Sequence, residues 1–131
     1  MGLEKTKDLL DKFNYQYEQR GTMLIIKLEF AQRIYINFPS SGKIEISDEL
    51  TGWNFLTGLI EMSLKSAIVY NFIASLIFAI FIVGIKLYNP IFESSTFTII
   101  YLLFIFWILI WFFFYLIKSE NLKKLLIEWN S

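Results

Sequence analysis

The sequence predicts a membrane protein. A small N-terminal cytosolic α+β module, one helix plus a three- to four-stranded antiparallel sheet, is followed by a two-helix transmembrane hairpin and a short amphipathic C-terminal tail. Three features point there. No charge interrupts the twenty residues from Ser66 to Ile85 or the twenty-four from Ser94 to Ile117. Ahead of these runs, apolar and polar residues alternate with the period of a half-buried strand. The whole chain is 56% hydrophobic and 19% aromatic, more than a small soluble domain ordinarily carries.

The two uncharged runs come first because they dominate the chain. As helices they reach about 30 Å and about 36 Å, against a hydrocarbon core about 30 Å thick. The 65 residues before them are too few to wrap two helices that are apolar all round. Between them lies "KLYNPIFE", where Asn89-Pro90 is a turn signal and Pro90 stops the first helix. So short a connection forces an antiparallel hairpin, with Lys86 and Glu93 flanking the turn and able to pair. The expected boundaries are a cytosolic module over 1–50, an interfacial helix over 51–65, a first span over 66–87, an external loop over 88–93, a second span over 94–117 and a cytosolic tail over 118–131.

Lysines set the expected orientation. Lys65 precedes the first span, and Lys118, Lys123 and Lys124 follow the second, whereas the loop holds Lys86 offset by Glu93. The positive-inside rule places both termini in the cytoplasm. Trp111 and Tyr115 suit an aromatic belt at that interface, with Trp53, Lys65 and Lys118 as further interface anchors. The opening "MGLEKTKDLLDK" lacks an apolar run and does not read as a secretory signal. Met1-Gly2 with Thr6 partly matches an acylation pattern, but two spans already anchor the chain.

In the first 50 residues, Leu3, Leu10 and Phe13 share a helical face with Leu9 alongside. Phe13, Tyr15 and Tyr17 then alternate with polar residues, and Gly21 breaks the pattern. "TMLIIKLEF" places Leu24, Ile26, Leu28 and Phe30 on one strand face. "RIYINF-PSSG-KIEIS" is the clearest hairpin, with Ile34, Ile36 and Phe38 facing the same side as Ile44 and Ile46. A module this small is barely large enough for its own core, so support from the membrane or from other subunits is expected.

"DELTGWNFLTGLIEMSLKS" reads as an interfacial helix anchored by Trp53, interrupted at Gly52 and Gly58. In "KSENLKKLLIEWN", Leu122, Leu125, Leu126 and Trp129 form an apolar face fit for the membrane surface or for the sheet.

Chemistry is sparsely signalled. The chain has no Cys and no His, which removes disulfides, thiolate chemistry and the commonest metal ligand and general base. No phosphate loop or nucleophile motif is present, so no catalytic residue, cofactor or metal is expected. Net charge is zero, and no nucleic-acid partner is indicated. Glu45, Asp48 and Glu49 form the densest polar group and read as a solvated strand end. The one suggestive pattern is Ser63, Ala67, Asn71, Ser75 and Ala79, a small polar stripe repeating every four residues on a bulky span. It fits helix packing, or the lining of a water-filled path in an oligomer.

Two spans cannot enclose a conduit alone, so a conducting form requires several copies. The expected partners are the lipid bilayer, further copies of the chain, and a cytosolic protein or small-molecule trigger. The overall plan resembles that of small bacterial effectors of anti-phage defence, in which a β-rich sensor is joined to two transmembrane helices. The resemblance implies a bacterial inner-membrane effector or channel driven by the cytosolic module. The alternative is a non-conducting anchor that recruits a soluble partner.

Overall fold

The computed structural model describes residues 2–40, 42–91, 93 and 95–130. Met1, Ser41, Phe92, Ser94 and Ser131, which fall within the boundaries expected above, lie outside the described residues. The element order is α1 (Gly2–Lys12), β1 (Gln16–Arg20), β2 (Met23–Lys27), β3 (Gln32–Asn37), β4 (Glu45–Leu50), α2 (Leu64–Tyr88) and α3 (Ser95–Trp129). The four strands form one antiparallel meander in the order β1-β2-β3-β4.

Alternation fixes the register. Leu24 lies opposite Ile36 and Ile26 opposite Ile34, while Ile36 faces Ile46. A slip of one residue would turn all of these outward. The buried face is closed by Leu10 of α1 and by Leu122 and Leu126 of α3. Thus the C-terminal residues do not form a separate tail. They prolong the second apolar helix and cover the sheet, with Trp129 stacked on Phe13 at 5.9 Å. A run of 35 helical residues extends over about 52 Å, enough for the apolar stretch and the cover together.

Both α2 and α3 are long and apolar enough to cross a membrane. They pack against one another as an antiparallel pair. Asn89 caps α2 by donating its N–H to the Ile85 carbonyl, one residue before Pro90. Beyond the turn, Glu93 accepts from both the Ser95 hydroxyl and the Ser95 N–H. These bonds hold its carboxyl below the usual carboxylate range, and Lys86 adds to the effect more weakly.

One expected element is overturned. Residues 51–63 form no helix. They fold into a compact loop tied back by an antiparallel bridge between Leu50 and Met62 and by a smaller one between Asn54 and Gly58. Gly52 and Gly58 adopt φ of +62° and +69°, a region that breaks helical periodicity and that glycine enters without steric cost.

Phe30 also departs from expectation. It does not continue the inward face of β2, because Phe30 and Ala31 take φ of +58° and +67° in the turn to β3. The Phe30 ring is carried out of the sheet core toward α3.

Candidate functional site

The loop, the first two turns of α2, the ends of β3 and β4, and the middle of α3 meet at one junction. Leu50, Leu56, Leu64, Ala67, Ile108 and Tyr115 form its buried apolar part. The remainder is polar, and its bonds explain the loop.

Asn54 is buried, and its amide organises the loop from inside. Its Oδ1 accepts from the N–H groups of Leu56 and Thr57 at 3.0 and 2.8 Å. Its Nδ2 donates to the Thr57 hydroxyl at 2.9 Å and the Gly58 carbonyl at 3.2 Å. The Thr57 hydroxyl donates onward to the Ile60 carbonyl. An Asx side chain of this kind supplies the loop with partners that a helix would have supplied along its own backbone.

The carbonyls that the loop leaves open are met by the helices. Asn71 of α2 donates Nδ2 to the Leu56 carbonyl at 2.9 Å, and also to the Ala67 carbonyl at 2.8 Å. Trp107 of α3 donates its indole N–H to the Phe55 carbonyl at 3.0 Å. Tyr115 accepts from the Phe55 N–H and donates to the Phe30 carbonyl at 2.8 Å. Irregular backbone beside apolar helices requires partners of this sort, since each buried N–H or C=O without one is costly.

The sheet contributes two inward polar residues. Asp48 sits on the face of Ile46 and Leu50, opposite Ile34. One carboxylate oxygen caps α2 by accepting from the Leu64 N–H at 2.9 Å. The other pairs with Lys123 of α3 at 2.5 Å, with side-chain exposures of 14% and 22%. Asp48 is therefore not a solvated strand end: it ties β4 to both long helices. Gln32, opposite Leu50 on β3, donates to the Tyr115 carbonyl at 2.9 Å.

The stripe expected from the sequence is largely gathered here. Ser63 caps α2 by accepting from the Ser66 N–H. Ala67, Asn71 and Ser75 are buried, and Ala79 is half-buried. The Ser75 hydroxyl donates back to the Asn71 carbonyl. Within one chain the stripe is thus a packing seam toward the loop and α3, with the Asn71 amide already committed.

The anchors divide. Trp53 is 60% exposed, and Lys65 and Lys118 are exposed. Trp111 is instead stacked on Phe55 at 3.9 Å and meets Phe30 edge-on at 5.1 Å. Tyr115 is fully buried, so it is no belt residue. Its aromatic body fills the junction while its hydroxyl serves two backbone groups.

Asp48, Gln32, Asn54 and Lys123 were missed as site residues. For Asp48 a signal existed: the alternation Ile44, Ile46, Asp48, Leu50 places it at a core-facing position. Ser63 just before the uncharged run was likewise a cap signal.

Comparison with protein-family models, curated proteins and solved structures finds no match to this chain.

Proposed function

We propose that the chain is a two-pass membrane protein with both termini cytoplasmic, and that it is an anchor holding its α+β module rigidly against the inner face of the membrane for a soluble partner. One observation carries the membrane-crossing part of this reading, and the lysine asymmetry supports the orientation. Only 11% of the most apolar stretch of each long helix is buried within the chain. A helix pair serving as a soluble core would be covered, whereas these present Phe72, Ile80, Leu102 and Phe106 outward, as a bilayer requires. The loop adds Trp53, Leu59 and Ile60 as exposed apolar groups, while its backbone is internally bonded.

The commitment of Asn71 to the loop favours an anchor over a conduit lined by that stripe. A second reading, an oligomeric effector or channel, draws support from the continuity of α3, because motion of the sheet would be carried straight into the apolar hairpin. The experiment that separates them has three parts. The tagged full chain should resist alkaline extraction from membranes. Periplasm-dependent reporters at either terminus should stay silent. Liposomes loaded with dye should not leak when the purified chain is added. Extraction into the soluble fraction or an active reporter would reject the topology, and leakage would shift the assignment to the effector.

A further inference from the structure

A cleft of about 660 Å³ opens beside the start of β1, the turn between β2 and β3, and α3. Lys27, Arg33 and Lys118 line it against one carboxylate, Glu29, with the amides of Asn14 and Asn121 alongside. Lys27 and Arg33 are direct cross-strand partners, and like charges so placed destabilise a sheet. None of the three cations takes part in a salt bridge among the described residues. Glu49, across from Arg33 on β4, does not neutralise it at ion-pair distance either. The sheet thus concentrates positive charge at one end, three cations against the single Glu29 carboxylate, with no ion pair formed between them among the described residues.

Height decides what would neutralise it. Lys118 follows Ile117, the last residue of the second uncharged run, and leans over the Phe114 ring with its ammonium 5.7 Å from the centroid. Asn121 and Leu122 lie one turn further along the same face of α3. The cleft therefore begins where the apolar surface of the helix ends.

We propose that this cleft binds the phosphate of an anionic phospholipid headgroup from the cytoplasmic leaflet. Lys27 and Arg33 leave the sheet on the side opposite Ile26 and Ile34 and line the cleft at the sheet's end, where Arg33 supplies a planar fork suited to two phosphate oxygens and Lys27, with Lys118 from α3, supplies point charges. The amide groups add neutral donors. A free phosphate offers the same chemistry, but the position at the end of the apolar run selects the lipid. The inference rests on the membrane-crossing reading above, and its test reads lipid retention in detergent, independently of topology.

The test is native mass spectrometry of the full chain in mild detergent, with equal amounts of phosphatidylglycerol and phosphatidylcholine. Wild type should retain phosphatidylglycerol preferentially. Each cation near an anionic surface is worth about fivefold in binding, so Lys27→Gln with Arg33→Gln should lower retention about twenty-fivefold. Lys43→Gln, on the exposed hairpin turn, should leave it unchanged. Equal retention of both lipids by the wild type would overturn the proposal. So would undiminished retention by the double variant, or an equal loss with Lys43→Gln. Displacement of the lipid by millimolar inorganic phosphate would reassign the site to a soluble anion and overturn the lipid assignment. A chain released by alkaline extraction that still retains the lipid selectively would fail the topology while keeping the site.

Discussion

Leu122 and Leu126 close the sheet over Leu24, Ile26, Ile34 and Ile36. Two turns earlier on the same helix, Tyr115 is buried among Leu50, Leu56, Leu64 and Ala67. The first core is apolar side chains on regular strands whose backbone groups pair with each other. The second surrounds irregular chain, and there Asn54 bonds the backbone of its own loop, while Asn71, Trp107, Tyr115 and Asp48 donate to or accept from backbone groups of other segments. The difference teaches that the local backbone decides the chemistry of a core. A ladder leaves only area to be buried, whereas a loop leaves N–H and C=O groups that side chains must answer.

Breaking the first core should have the largest effect. Ile36 is fully buried between Leu24 and Ile46, so Ile36→Asp should lose more than about 3 kcal/mol and unfold the module. Lys43→Asp on the exposed turn should stay within about 0.5 kcal/mol. Denaturant unfolding in detergent compares the two, and similar losses would mean the sheet face is misassigned.

Asn54→Ala tests the second core. It leaves the Leu56 and Thr57 N–H groups without their acceptor, and should cost about 2–3 kcal/mol. The damage should stay local: amide exchange should accelerate across 51–63 while the strands remain protected. Acceleration of the strands to the same degree would show one cooperative core rather than two.

The Asp48–Lys123 pair joins the two regions, and a double-mutant cycle with Asp48→Asn and Lys123→Met should give a coupling of about 1 kcal/mol. Asp48→Asn keeps an oxygen for the Leu64 N–H, so Asp48→Ala should be worse. Equal losses from the two would remove the capping role. The smallest effect belongs to Ala31→Gly. Ala31 holds a positive φ, and glycine there should be neutral or stabilising by up to about 1 kcal/mol. A clear loss of stability would show that the turn depends on the Ala31 methyl group.

The sheet was legible because alternation expresses it directly, and the apolar helices because two long runs without a charge do. "RIYINF" and "KIEIS" predicted the pairing of β3 with β4, although the strands begin and end one to three residues from the expected points. Residues 51–63 were not legible. Trp53, Phe55, Leu56, Leu59 and Ile60 imitate an amphipathic helix, and the competing signals, Gly52, Gly58 and the Asn54 amide, act through φ and through bonds that spacing does not reveal. Tyr115 was misread for a related reason. An aromatic residue near the end of an uncharged run suits an interface, and only the arrival of the loop and Phe30 turns that position into an interior. The tail was read as an apolar face with two destinations, and the sheet is the one it covers.

Tyr115, Ser119, Leu122 and Leu126 are all buried, and their spacing of four, three and four residues draws a single stripe down α3. That stripe makes the helix a keyed shaft. One residue inserted between Leu116 and Lys118 would rotate everything downstream by about 100° and advance it by about 1.5 Å. Tyr115 could then keep its place in the junction only if Leu122 and Leu126 left the sheet. Seven inserted residues would restore the angle to within about 20° but separate the two seats by about 10 Å. The sheet and the apolar hairpin are consequently phase-matched parts, and a torque on either is felt by the other without any hinge between them.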